Sequence, residues 1–316
     1  MLIKQPDDKT SDIECLRGLA ARSDISADVR KNIEQEIRYM QSGMKGEAEA
    51  AYEMNFHFGA SKNWMLIHDL RIECEGRVAQ IDHLILNRFM EIYVCESKRF
   101  SEGVGINEHG EFSAFYGGKP YGVPSPLEQN NRHILVLESV FKSGMVAPPK
   151  RLGFNITPSL LGLVLVSKGA RISRPKAKLD GIDCVIKNDQ IKSRIERDRD
   201  ADTNPLNAAR IIGQDTLEDF ARRLAAIHMP VTFNWAVKFG ISTDYPAVSE
   251  KVATVVKVEE PAVTAEVEGE KKSKLICASC GAAVSYTVAK FCWFNKPKFA
   301  GKVYCMDCQK TVTAAS

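Results

Sequence analysis

Glu91-Ile-Tyr-Val-Cys-Glu-Ser-Lys98 is a short apolar stretch that ends in an acid and a lysine. Side chains alternate between the faces of a strand, so Ile92, Val94, Glu96 and Lys98 share one side. An apolar face therefore ends in two charges. Burying a carboxylate and an ammonium is costly unless they pair or bind a metal, so something must lie opposite them. The preceding run, Ala79 to Leu86, puts Asp82, Leu84 and Leu86 on one face, and the short turn at Asn87 to Met90 folds Asp82 back beside Glu96. Two carboxylates and a lysine then converge. A structural ion pair of Asp82 or Glu96 with Lys98 is the plainer use of the same charges. Acid-x-Lys also occurs at Asp7 to Lys9 and Glu270 to Lys272, in an expected tail and an expected linker; only the middle instance ends an apolar strand.

Outward from this strand, Trp64 to Glu73, Val78 to Leu86 and Glu91 to Lys98 read as an antiparallel meander with turns at Glu75-Gly76 and Asn87-Arg88. Upstream, Val29, Ile33, Ile37 and Met40 give a helix over Ser26 to Gln41 with Gly43 as its stop, and a second helix is expected from Lys45 to Phe58. Glu47 falls in its first turn, where an acid complements the helix dipole whatever else it does. Downstream, Val104 to Phe115 suggests a hairpin. Ser125-Pro126 reads as an N-cap and first helical proline, opening a helix with Leu127, Ile134, Leu135, Leu137 and Val140. Leu160 to Val166 is a buried strand with Ile182 to Ile186 as its neighbour. Helices follow at Asp189 to Arg197 and Asp215 to His228, the latter with Asp215 and Glu218 in capping-box spacing. The fold class is α/β, a mixed sheet flanked by helices. His83 points to the strand face opposite Asp82, which suits a core hydrogen bond, and the other histidines lack metal spacing. The basic run Lys168, Arg171, Arg174, Lys176 and Lys178 suits either phosphate contact or a solvated loop.

The 316 residues, 44% hydrophobic and 26% charged, have ordinary globular composition and enough length for a real core. A net charge of +3 is too weak to identify a nucleic-acid protein. No apolar run approaches a membrane span, and Met1 to Asp8 lacks a signal-peptide core, so neither secretion nor a membrane partner is expected. Four of nine cysteines are scattered and five crowd the C-terminus, the pattern of a reducing cytoplasm with one local metal site. From about Ala247 to Lys274 the chain is Val, Ala, Glu, Lys, Thr and Pro without an aromatic residue, a linker composition. The expected organisation is an N-terminal helical segment (1–42), the α/β domain (43–245), a linker (246–274) and a cysteine module (275–316).

In that module Cys277-Ala-Ser-Cys280-Gly281 and Cys305-Met-Asp-Cys308 form two C-x-x-C knuckles, the arrangement a tetrahedral structural Zn²⁺ requires. A redox dithiol and two disulfides are the other readings; Cys292 is left over and packed. Between the knuckles, Lys290, Lys296, Lys298 and Lys302 interleave with Phe291, Trp293, Phe294, Phe299 and Tyr304. Cations on phosphates and rings on bases would grip a single strand; the same rings would also serve as the module's own core or meet a protein partner.

Gly43-Met-Lys-Gly46-Glu47, Gln80-Ile-Asp82-His83, Val94-Cys-Glu96-Ser-Lys98 and Pro126-Leu-Glu-Gln129, in this order and spacing, resemble the nuclease-related domain (NERD) family of the PD-(D/E)xK nuclease superfamily over about residues 40 to 145. Ser125 stands where that family often has Asn, and Phe112 where Trp is common. The resemblance implies a restriction-endonuclease-like core in which Glu47 projects from a helix, Asp82 and Glu96 bind Mg²⁺ or Mn²⁺, Lys98 lies beside the attacking water, and Gln129 projects from a later helix. Taken without the resemblance, Gln129 is equally a surface polar residue. The cysteine module resembles the zinc ribbons attached to topoisomerases. The expected function is a metal-dependent nuclease acting on DNA, with single-stranded DNA or RNA as variants. The alternatives are a non-catalytic DNA-binding adaptor and a zinc-stabilised protein-interaction scaffold.

Overall fold

The computed structural model describes residues 1–151, 153–201, 203, 210–241, 276–284, 288–289, 292, 299 and 302–310. The chain divides into two compact units, Met1–Val263 and Thr264–Ser316.

The first unit is built on a six-stranded mixed sheet. β2 (Trp64–Cys74), β3 (Arg77–Asn87) and β4 (Glu91–Lys98) form the expected antiparallel meander. β1 (Leu2–Lys4) joins β2 in parallel at one edge, while β10 (Ser159–Val166) and β12 (Val185–Lys187) add in parallel beyond β4. Ile92 to Cys95 of β4 and Leu163 to Val166 of β10 are buried on both faces, as their unbroken apolar runs require.

Helices cover both faces. α2 (Ala27–Phe58) lays Ala50, Met54 and Phe58 on Leu66, Ile85, Tyr93 and Leu163, joined by Ile191 and Ile195 of α4 (Ile191–Ala201). On the other face α3 (Pro126–Lys142) and α5 (Gln214–Ala226) pack Val136, Leu137, Leu217 and Phe220 against Ile81, Leu84, Ile92 and Val94. A smaller sheet of β5 (Gly103–Ile106), β6 (Phe112–Tyr116), β7 (Lys119–Val123) and β11 (Arg171–Ser173) seats Val104, Ile106 and Phe112 on Val164 and Val166. A two-strand ribbon, β8 (Lys150–Arg151) and β9 (Phe154–Asn155), precedes β10. α1 (Thr10–Ala20) and the short α6 (Trp235–Lys238) clasp the front of α2 through Leu16, Ile33 and Trp235.

Four sequence expectations change. Gly43 does not stop a helix: α2 runs unbroken for 32 residues, because packing at Ile33 and from Ala50 to Phe58 outweighs the cost of about 0.5–1 kcal/mol for an interior glycine. The hairpin gains a third strand through the turn Gly117-Gly118, both at positive φ as a type I′ turn requires. Ile182–Cys184 is a 3₁₀ turn, and only Val185–Lys187 pairs with β10. α5 starts at Gly213 without a side-chain cap, since Glu218 bonds Arg222 instead of closing a capping box. Ser125 caps α3 as expected, its hydroxyl accepting from the Glu128 N–H at 3.3 Å. No helix among the described residues is long and apolar enough to cross a membrane.

Candidate active site and cysteine cluster

Register brings the acids together. The pairs His68↔His83 and Leu70↔Ile81 bracket Asp69 opposite Asp82, and His83↔Cys95 places Asp82 next to Glu96. Three neighbouring strands thus carry Asp69, Asp82 and Glu96 in one row. Like charges directly opposed destabilise a sheet, so the row needs cations. Lys98 supplies one, its Nζ 2.8 Å from Glu96 Oε1. Lys9, in the loop before α1, supplies the other: its Nζ lies 3.0 Å from Glu47 Oε2 and 3.5 Å from Asp69 Oδ2.

Each acid sits differently. Glu96 is 2% exposed, between Lys98 and His133, whose Nδ1 is 3.4 Å from Oε2. Asn130, three residues before His133 on α3, donates its buried amide to Val94 O at 2.9 Å and Leu163 O at 3.2 Å and so clamps the helix onto the sheet. Asp82 is half-buried and accepts the Ser97 backbone N–H at 2.7 Å through Oδ2. Burial, with the Glu96 and Glu47 carboxylates close by, holds its carboxyl well above the usual carboxylate range. Burial works to lower the Lys98 and Lys9 ammonium groups, but the surrounding carboxylates outweigh it and raise both. Asp69 has a left-handed backbone, φ +53°, that takes it out of the ladder, and Gln80 donates to its Oδ1 at 3.0 Å.

Glu47 reaches this end of the sheet because Gly46 lets α2 approach β4: a Cβ on Gly46 would lie 3.0 Å from Arg99 Cβ. Of the residues singled out from sequence, Glu47, Asp82, Glu96 and Lys98 form one charged cluster. Gln129 is half-buried one turn ahead of His133 on α3, and its side-chain amide makes no hydrogen bond among the described residues. Lys9, Asp69 and His133 were missed. Lys9 stood in a segment read as a tail, whereas β1 anchors that segment to the sheet. His83 keeps to the opposite face as expected, with Nδ1 2.9 Å from His68 Nδ1 and Nε2 3.0 Å from Ser97 Oγ.

Among the described residues only Cys277, Cys280, Cys305 and Cys308 bring three or more ligand atoms within 4.8 Å of one another. Cys280 Sγ and Cys305 Sγ are 3.7 Å apart, far beyond a disulfide bond and close to the roughly 3.8 Å between sulfurs around tetrahedral Zn²⁺ at 2.3 Å. The Gly281 N–H donates to Cys277 O at 2.9 Å, and Gly281 takes φ +70° to close the first knuckle. Against the effect of burial, backbone N–H groups at Cys280, Cys305 and Ser279 hold the Cys277 thiol down to about 6, while Cys308, facing Cys305, is pushed up to about 12. Thiolates that compete for charge in this way suit a shared cation. Cys292 is buried, with Gln309 Nε2 donating to its Sγ at 3.2 Å, and Phe299 packs on Tyr304. Lys302 is exposed; Lys290, Trp293, Lys296 and Lys298 lie outside the described residues.

Residues 42–158 match the family model described as NERD, nuclease-related domain; the match includes β2, β3 and β4 with Glu47, Asp69, Asp82, Glu96, Lys98 and His133, while Lys9, β1, β10 and β12 lie outside it. The match does not extend to the cysteine cluster. No curated protein and no solved structure matches the chain.

Proposed function

We propose that the chain is a metal-dependent nuclease that hydrolyses phosphodiester bonds in DNA at the Asp82–Glu96–Lys98 cluster, with a zinc-bound C-terminal module that contacts nucleic acid. The observation that carries this reading is the row of acids across β2, β3 and β4 with Lys98 on Glu96. With all four carboxylates ionised, Asp69, Asp82, Glu96 and Glu47 exceed the two ammonium groups they face by two negative charges, which one divalent cation would balance. The donor set fits: Mg²⁺ is commonly held by one or two carboxylates and completes its shell with waters and substrate phosphate. Asp82 and Glu96 would hold the cation, which when bound would polarise the phosphate and activate a water.

The protein's own groups supply the rest. Ser97 N–H orients Asp82 and leaves its Oδ1 for the cation. The raised Lys98 ammonium stays charged at neutral pH, at the strand end where it can neutralise charge developing on the phosphate. Lys9 holds Glu47 and Asp69 in place, and His133 Nδ1 stands 3.4 Å from the buried Glu96 Oε2.

A second reading, the non-catalytic DNA-binding adaptor, draws on the pairing of Glu96 with Lys98 and of Glu47 with Lys9, which partly neutralises the site without a metal. Incubating the protein with plasmid and linear DNA plus Mg²⁺ or Mn²⁺ separates the two. The nuclease cuts, EDTA stops it, and Asp82→Ala abolishes it; cutting that survives Asp82→Ala places the chemistry elsewhere, and no cutting under any cation leaves the adaptor.

A further inference from the structure

The basic run after β10 splits into parts with different fates. Lys168 pairs with Glu53 of α2 at 3.7 Å, and the Lys176 and Ala177 backbone N–H groups are tied to the Glu108 carboxylate. Arg171 and Arg174 instead line an open cavity of about 420 Å³ together with Lys187, Gln190, Ile172 and the Gly169-Ala170 turn. Among the described residues no acidic side chain lines it. Arg174 donates to Val185 O and Lys187 Nζ to Lys168 O at 3.0 Å, both neutral acceptors, while Arg171 is exposed and makes no side-chain hydrogen bond or ion pair among the described residues. Three cations kept together without a counter-charge repel one another, an arrangement that an anion relieves.

Its place in the sheet says which anion. Val166 pairs with Lys98 on one side and with Lys187 on the other, so the end of β4 and the cavity wall are two strands apart, about 10 Å at the usual strand spacing. β11 is held directly against the segment that follows Lys98, where Gly103 leaves no room for a side chain: a Cβ would lie 2.5 Å from Arg171 O.

We infer that the cavity formed by Arg171, Arg174, Lys187 and Gln190 binds a backbone phosphate of the nucleic-acid strand, flanking the phosphate held at Asp82 and Glu96. Arginine forks suit the two non-bridging oxygens of a phosphodiester, and Gln190 adds an uncharged donor. Phosphate contacts position a strand without reading its sequence, so the cavity sets where the strand crosses the carboxylates rather than which bases it carries.

This inference rests on the nucleic-acid reading above, but its test does not require cutting. Binding of a fluorescent single-stranded oligonucleotide to the full, zinc-loaded chain is measured without added Mg²⁺ or Mn²⁺ over a range of salt, alongside inorganic phosphate as competitor. Arg171→Glu and Arg171→Glu/Arg174→Ala are expected to weaken binding at least tenfold and to flatten the slope of log K against log salt by about 0.7 for each phosphate that is no longer neutralised. If the double substitution unfolds the chain by releasing Val185 O, the exposed Arg171→Glu alone decides. Parental affinity and salt slope in Arg171→Glu overturn the site. Loss of inorganic phosphate binding with unchanged oligonucleotide binding overturns the strand assignment and leaves a site for free phosphate. A chain that cuts DNA yet is indifferent to Arg171→Glu fails here while the nuclease reading stands.

Discussion

Gly46 of α2 and Arg99, just past the end of β4, approach so closely that a β-carbon on Gly46 would stand 3.0 Å from the Arg99 Cβ. This approach is what sets Glu47 beside the charges on β3 and β4. Gly46→Leu gains roughly 0.5–1 kcal/mol of helix propensity but overpacks the junction at a cost of about 1–3 kcal/mol. We expect a net loss of stability in chemical denaturation and a larger proportional loss of cleavage, because Glu47 moves. A stabilised variant with full activity contradicts this role for Gly46.

The Lys98–Glu96 pair allows a double-substitution cycle. Lys98→Met strands a carboxylate that is 2% exposed. Breaking a buried pair costs about 3–5 kcal/mol; Lys98 is partly solvated and His133 still faces Glu96, so a loss of about 2 kcal/mol is expected by the same principle. Adding Glu96→Gln is expected to restore most of that stability while cleavage remains abolished. Losses in Lys98→Met and Glu96→Gln that simply add in the double variant, measured by urea denaturation, would show that the two side chains do not interact.

On the far side of the sheet His68 and His83 share one Nδ1-to-Nδ1 hydrogen bond, with Asn55 Oδ1 3.5 Å from His68 Nε2. Burial, helped by Lys4, holds His68 down to about 4, and burial, with His68 and Lys9, holds His83 well below its usual range. Both are neutral when folded and take up protons on unfolding below about 6.5. The unfolded chain then binds more protons, so this contribution is complete above pH 6.5 and is lost as pH falls towards 4, on the order of 3 kcal/mol from His68 alone. Melting curves from pH 7.5 to 4.5 should fall accordingly, and His68→Gln should flatten the fall. A pH-independent melting point in that window contradicts a neutral pair.

Much of the α/β unit was legible because its strands carry their own period. β2, β3, β4 and β10 alternate or run apolar, and Asp82, Glu96 and Lys98 stand out as charges on faces that should have none. Lys9, Asp69 and His133 carry no such local mark. Lys9 reaches Glu47 across 38 residues, Asp69 depends on a left-handed backbone within β2, and His133 depends on where Asn130 fixes α3. The α2 helix was misread for the same reason: Gly43 is a local stop signal overruled by distant packing. Lys187, by contrast, joins Arg171 and Arg174 only because β12 lies beside β10.

The cysteine cluster predicts a metal content. Purified protein should hold close to one zinc per chain by elemental analysis, and Cys308→Ser should lose most of it. Chelation should make the cysteine module protease-sensitive while the α/β sheet and the helices that cover it stay resistant. Four alkylatable thiols at these positions in native, zinc-free protein would contradict the assignment.

In the proposed nuclease Asp82 and Glu96 together hold a divalent cation at a phosphate. Titrating Mn²⁺ into the zinc-loaded protein, with free Mn²⁺ followed by electron paramagnetic resonance, tests it most directly. One site is expected in the parent protein, tightened by a short oligonucleotide and lost in both Asp82→Asn and Glu96→Gln. Unchanged Mn²⁺ uptake in either folded variant would contradict the claim.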